Sequence, residues 1–475
     1  MKEFIFDFVK YIPSKLLPGL VGIIAIPVIT RLFSPNDYGV YSIIITTINI
    51  MLIVGNWQLM SIVRYYPHYE VEKKVNKFNE NIMFSLWFTI ISISFLFMSM
   101  IILLNQIISE QYQFTVWLAF FVVILTIVFN TLQTYFRVVR KVNYYSYFES
   151  WKGVTTLTFG ILFVLLISEN INNMLIGYII SLLIILPFMY FKLKGTVKLW
   201  KISFSKDIFK KISDYGVPLV IVNLSAWILN LSDRYILSIY RGVEEVGIYT
   251  ANYDIADKVM MLIVGIFIMA SGPIVNRIWE HENEEKAKEF LEKVAGYYII
   301  VCLPAVIGLS ILSKVIAETF LGAGYSQGYI IIPFAALGAF LLGLQQRYHA
   351  SFQFFGKNYM IAKLVGFSGG VNIILNILLI PTYGYLAAGV TTLISYLVLL
   401  ILIIFFSREF FKWKFPTSEF IQSACSSLVM SVPVLYFAYY VEIPVFFRIS
   451  LSVIFGIVTY ILVILILRIL EKVNR

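Results

Sequence analysis

The chain has 475 residues, of which 60% are hydrophobic, 17% aromatic and only 13% charged. That composition excludes an ordinary soluble domain and a disordered chain, and it points to a protein whose solvent is largely lipid. The net charge of +10 does not mark a nucleic-acid-binding face, because most of the 37 Lys and Arg residues fall in alternate connecting segments, the positive-inside pattern of a polytopic membrane protein.

Fourteen apolar runs of spanning length are predicted, beginning with 12–31. This first run follows MKEFIFDFVKYIPSK without a small-residue cleavage site, so it reads as a retained helix and not a signal peptide. Pro18 and Pro27 within it remove backbone hydrogen bonds and make it the candidate hinge, although a static kinked helix would also accommodate them. Arg31 stands at its end, where snorkelling alone could explain a cation.

Runs two to six are 39–63, 82–104, 116–136, 150–168 and 173–191. The fourth ends in a polar cluster that includes Asn130, Gln133 and Arg137. The basic stretch 192–213 carries Phe204, Ile208, Phe209 and Ile212 at helical spacing among lysines, which predicts an amphipathic helix lying on the cytoplasmic leaflet.

The seventh run, 216–240, contains the adjacent pair Asp233–Arg234, and the eighth, 247–275, contains Asp254, Asp257 and Lys258. An ionisable group at membrane depth costs at least ~2.5 kcal/mol, so it needs a partner or a function. Asp254, Asp257 and Lys258 follow i, i+3, i+4 and share a helical face. The hairpin brings both sets to similar depth, which predicts Arg234 with Asp254 or Asp257, and Asp233 with Lys258. A structural ion-pair cluster and a cavity lining that re-pairs during transport both fit that pattern.

Runs nine to twelve are 294–313, 328–352, 361–380 and 385–406. The tenth ends in Gln345, Gln346, Arg347 and His349, the counterpart of the cluster closing run four. Amides and hydroxyls suit a sugar-like ligand, and guanidinium forks suit phosphate oxygens; interhelical hydrogen bonding would account for them equally. The last two runs are 420–441 and 446–468.

Two motif pairs reveal a duplication. DYGVYS at 37–42 matches EVGIYT at 245–250, and FRVVRKVNYY at 136–145 matches FQFFGKNYMI at 352–361, with offsets of 208 and 216. An even number of spans per repeat gives both halves the same orientation. The expected organisation is an all-α polytopic membrane protein of about fourteen transmembrane helices. A six-helix lobe with a basic linker covers 1–205, a second pseudo-symmetric lobe 206–412, and a two-helix hairpin 413–475. Both termini are expected in the cytoplasm. Cys302 and Cys425 lie within apolar runs and indicate neither a disulfide framework nor a metal site.

The segments PVITRLFSPNDYGVYS (27–42), SDRYILS (232–238), GIYTANYDIADKV (247–259) and PTYGYLAAGVTT (381–392) resemble bacterial polysaccharide flippases of the Wzx type. These belong to the multidrug/oligosaccharidyl-lipid/polysaccharide exporter superfamily. The resemblance covers nearly the whole chain, through loose patterns and not catalytic signatures. It implies a flippase of the cytoplasmic membrane that moves a polyprenyl-pyrophosphate-linked oligosaccharide to the outer leaflet by alternating access, for capsule, O-antigen or exopolysaccharide synthesis. It implies as partners that glycolipid, membrane lipids, the polysaccharide polymerase and other pathway proteins. Of the cavity arginines, Arg31 and Arg234 occupy its motif positions; the inner-layer residues Arg137, Arg347, Asn130, Gln133 and Gln346 rest on depth alone.

No cofactor is expected, and no Gly-rich loop ending in Lys-Ser or Lys-Thr indicates a nucleotide. The energy source is then an ion gradient, the membrane potential or downstream consumption, with Asp233, Asp254 and Asp257 as coupling candidates. Two rivals differ in class. A cation-coupled drug antiporter of the same superfamily would need carboxylates within runs one to six, which contain none. A membrane polymerase, the enzyme alternative, would need a large external loop with catalytic groups.

Overall fold

In hydrocarbon every backbone N–H and C=O must be satisfied within its own segment, so the apolar runs become helices. The computed structural model describes residues 2–104 and 110–473. The helices are α1 (Lys2–Leu32), α2 (Pro35–Gly55), α3 (Leu59–Val71), α4 (Val75–Leu104), α5 (Glu110–Val138), α6 (Val142–Leu166) and α7 (Ile171–Leu193). They continue with α8 (Lys206–Arg241), α9 (Val243–His281), α10 (Glu284–Phe320), α11 (Ile331–Phe354), α12 (Asn358–Ser407), α13 (Thr417–Tyr439) and α14 (Val445–Val473), with a 3-10 turn at Ala323–Ile330.

Among the described residues twelve helical segments are long and apolar enough to span a membrane, and Leu16–Leu32 is a shorter apolar one. The fifty-residue α12 breaks at Gly384 (φ 57°, ψ −142°). Counting its two arms separately gives thirteen, one fewer than the fourteen apolar runs predict, the difference being Leu16–Leu32, whose apolar stretch is shorter than the others. The second run stops earlier than expected: α2 ends at Gly55, and α3 restarts at Leu59 after a turn through Asn56–Gln58.

The chain divides into two compact units, residues 1–33 with 40–227, and residues 34–39 with 228–475. The first has an aliphatic and aromatic core from α3, α4, α5 and α7, including Ile62, Phe78, Ile82, Val122, Phe136 and Leu182. Small residues let its helices approach closely, as in other membrane bundles. A Cβ on Gly177 of α7 would lie 2.2 Å from the Gly160 nitrogen of α6, and one on Gly153 would lie 2.5 Å from the Pro18 ring. Pro18 therefore packs directly on α6, and α1 is a continuous helix through Pro18 and Pro27.

The 192–213 stretch is not an amphipathic helix on the leaflet. Residues 196–205 form turns and extended chain, and helix resumes at Lys206 and runs without interruption into the seventh span. Its apolar side faces protein: Ile208 and Ile212 are buried, Phe209 packs on Phe84 and Trp57, and Trp200 stacks on Trp87. The side-chain amide of Asn81 accepts from the Ser205 N–H at 2.7 Å, holding the segment to α4.

In the second unit, α9, α10 and α11 meet the segment after α12 in a cluster of Val275, Ala287, Leu291 and Phe411, with Trp279 stacked on Phe354 at 4.5 Å. The second motif pair gives the same turn in each unit. Arg140 after α5 and Gly356 after α11 both have left-handed φ (57° and 67°). The following N–H bonds back five residues in both cases, Lys141 to Phe136 at 2.9 Å and Lys357 to Phe352 at 2.7 Å, the closing bond of a Schellman-type cap.

Candidate functional site

The α8–α9 hairpin turns on one residue, Gly242, whose φ of 91° suits glycine. That tight join sets the ladder of side chains along the two helices. Arg234 Nη2 pairs with Asp254 Oδ1 at 2.8 Å, and Lys258 Nζ lies 3.6 Å from Asp254 Oδ2. Arg234 is 8% exposed, so the pair is largely withdrawn from solvent. One carboxylate thus answers two cations, and the expected Arg234–Asp254 pairing is the one formed.

The expected Asp233–Lys258 pair is not. Asp233 is 2% exposed and is held by hydroxyls: Tyr249 donates to its Oδ2 at 2.5 Å and Thr392 donates to the same atom at 3.4 Å. The Arg234 N–H donates to Oδ1 at 2.8 Å. Neighbouring residues on a helix point about 100° apart, so Asp233 and Arg234 cannot both face α9's charged stripe. Asp257 shares that stripe, is half-buried, and makes no hydrogen bond or ion pair among the described residues.

Behind Asp233 runs a buried polar chain that the sequence reading missed. Asn376 donates to Asn372 Oδ1 at 2.8 Å, Thr391 donates to Asn376, and Asn372 donates to Thr392 Oγ1 at 3.4 Å. Ser232 also donates to Asn372 Oδ1, at 3.5 Å. These residues belong to both arms of α12 and to α8. Their signal was an Asn pair at i, i+4 within a highly apolar run; attention to charges alone passed over it. The break that folds the arms together is held by Glu245, which accepts from the Tyr385 N–H at 3.1 Å and from Arg241 Nε at 2.8 Å. A Cβ on Gly384 would lie 2.4 Å from that carboxylate.

The remaining expected residues separate by helix face. Arg31 and Arg137 are exposed at the ends of α1 and α5, Gln346 is exposed on α11, and Asn130 is half-buried. Gln133 is buried and donates to the Tyr145 carbonyl at 2.7 Å, an interhelical bond to α6. Arg347 is 4% exposed; it donates to Ser271 Oγ at 2.8 Å and lies 5.7 and 5.5 Å from the Phe267 and Tyr298 ring centres. Its fork is enclosed by α9, α10 and α11 and is not displayed at an open surface. Depth along the chain was legible for both residues, but the rotation of their helices was not.

Comparison with known proteins adds a family and a fold. Residues 28–330 match the family described as polysaccharide biosynthesis protein. An uncharacterized membrane protein of Methanocaldococcus jannaschii is 23% identical over 429 residues, covering 84% of this chain and 83% of that one. A probable low-salt glycan biosynthesis flippase of Haloferax volcanii is 22% identical over 262 residues, 54% of this chain and 55% of the relative. Among solved structures, the lipid II flippase MurJ in an inward closed conformation superposes with a TM-score of 0.79 at 16% identity, covering 98% of this chain and 100% of that one.

Proposed function

Because the chain belongs to the polysaccharide biosynthesis protein family, as its match over residues 28–330 shows, we propose that it flips a polyprenyl-pyrophosphate-linked oligosaccharide across the cytoplasmic membrane by alternating access. The reading gives both termini to the cytoplasm and places the chain beside the polymerase and other proteins of a capsule, O-antigen or exopolysaccharide pathway. It assigns no covalent chemistry to the protein.

The observation that carries it is the Arg234–Asp254–Lys258 cluster at membrane depth, with the unbonded Asp257 beside it. Arg234 of α8 and Lys258 of α9 both turn to Asp254, which gathers two cations at one depth for the pyrophosphate. Asp257, on the same α9 face, makes no hydrogen bond or ion pair among the described residues and is a carboxylate for a coupling cation. Arg234 attracts the anionic head group, and Asp254 holds the guanidinium between transport events.

The test is deletion of the gene in its source cell. The expected result is lipid-linked oligosaccharide accumulating on the cytoplasmic leaflet while polymer is lost from the surface. Unchanged surface polymer would overturn the proposal, and dye efflux lost with the gene would favour the antiporter reading.

A further inference from the structure

The helix break at Asn56–Gln58 creates a second site, within the unit of residues 40–227. Here α2 stops, α3 restarts, and α8 passes across the gap. A cavity of about 380 Å³ opens at this point, lined among others by Asn49, Asn56, Trp57 and Asn223. Asn49 lies on the last turns of α2 and Asn56 in the turn that follows it, and both line the cavity. Gly216 permits the close crossing: a Cβ there would lie 2.2 Å from the Trp57 carbonyl oxygen.

The lining chemistry is selective. None of the residues lining the cavity is charged, so an anionic or cationic group would find no counter-charge. Asn56, at the helix break, has its Oδ1 buried without a hydrogen-bond partner. Trp57 donates its indole N–H to Thr89 Oγ1 at 2.8 Å and meets Phe209 edge to face at 5.8 Å, which fixes the ring. Three side-chain amides that both donate and accept, together with a held aromatic wall, match a neutral polyhydroxyl group, whose hydroxyls do the same and whose C–H face is apolar. The volume lies near the lower end of small-molecule sites, about 300–1,000 Å³, sized for part of a glycan and not a whole repeat unit.

We infer that this cavity is a subsite for a neutral sugar of the transported glycolipid. The inference rests on the flippase function proposed above and deepens it, by assigning glycan recognition to Asn49, Asn56, Trp57 and Asn223.

The test uses full-length protein in nanodiscs and native mass spectrometry with two probes: the lipid-linked oligosaccharide pool extracted from the source cells, and bare polyprenyl pyrophosphate. Wild type should bind the glycosylated lipid about tenfold more tightly than the bare one, the size expected for two or three hydrogen bonds. Asn49 and Asn223 are exposed, so the double variant Asn49→Leu/Asn223→Leu should fold and should bind both lipids at the bare-lipid level. Asn49→Ala/Asn223→Ala serves if the leucines lower the melting temperature. A double variant that keeps the wild-type preference overturns the subsite. Equal binding of both lipids by wild type also overturns it while leaving the flippase reading intact, whereas a wild type that binds neither lipid brings down both.

Discussion

Gly39 and Gly247, equivalent residues of the duplicated motif, meet backbone to backbone in a reciprocal contact. A Cβ on Gly39 would lie 1.8 Å from the Val243 carbonyl oxygen, and one on Gly247 would lie 1.9 Å from the Pro35 carbonyl oxygen. Pro35 and Val243 are themselves 208 residues apart, as the two glycines are. The contact is therefore self-complementary, as at a two-fold axis. Ser34–Gly39 belongs to the same compact unit as the start of α9.

That fit predicts a steep response to a single methyl group. Gly39→Ala and Gly247→Ala should each lower the melting temperature in detergent, by an amount corresponding to about 1–3 kcal/mol of overpacking. Gly195→Ala, where an added carbon meets nothing within 4 Å, is the control and should melt with wild type. Equal melting of all three would show that the glycine contact is not under steric constraint.

Arg234→Ala should leave an abundant membrane protein and reduce polymer export at least tenfold. Abundance is expected to hold because Asp254 keeps Lys258 at 3.6 Å as a second cation. Arg234→Lys should recover export only in part, since the ammonium lacks the guanidinium fork. If the pair is instead structural, Arg234→Ala should cost about 3–5 kcal/mol and the protein should vanish, with Arg234→Ala/Asp254→Asn restoring it. Immunoblots and surface polymer measured in the same cells separate the two outcomes.

Asp257 and Asp254 should respond differently to neutralisation. Asp257→Asn removes no bond and should leave stability near wild type while slowing transport; Asp254→Asn strips Arg234 of its 2.8 Å partner and should lower the melting temperature. A fully active Asp257→Asn protein would eliminate this carboxylate as the coupling group.

Topology can be read with membrane-impermeant maleimide. In a background with Cys302→Ala and Cys425→Ser, a cysteine at the exposed Gln327 should label in intact cells, and one at the exposed Lys198 only after permeabilisation. Labelling of both from the same side would reverse the proposed orientation of at least one unit.

The hinge assignment for α1 has a structural competitor in the Pro18–Gly153 contact. Pro18→Ala with Pro27→Ala should give a stable protein with slower export if bending matters. Wild-type export rates with a lowered melting temperature would instead mark Pro18 as a packing residue.

The sequence made the spans legible because their signal is local: twenty apolar residues need no knowledge of their neighbours. It also exposed the charged stripe of α9 and its Arg234 partner, since i, i+3, i+4 spacing and a hairpin suffice to bring them together. What it could not show was side-chain direction across helices. Asp233 turned toward Tyr249 and Thr392, the latter 159 residues away, and Arg347 toward Ser271 and two aromatic rings. The 192–213 segment has the composition of a membrane-surface helix, but Phe84, Trp87 and Asn81 of α4 claim it, and those partners lie more than 100 residues upstream of the residues they hold.

In the second unit, the face that carries the α8–α9 join has almost no slack in three of its connections. Helices α8 and α9 join through Gly242 alone, the α12 break is clasped by Glu245, and Asn252 donates to the Tyr325 carbonyl at 2.9 Å inside the 3-10 turn, against which Pro35 also packs. On the proposed topology this face looks outward. An antibody or a phage tail fibre reaching these three connections would find side chains standing on helix ends, so escape by changing Gly242, Glu245 or Asn252 could not come cheaply: each change would fall on a residue already engaged in holding two segments together.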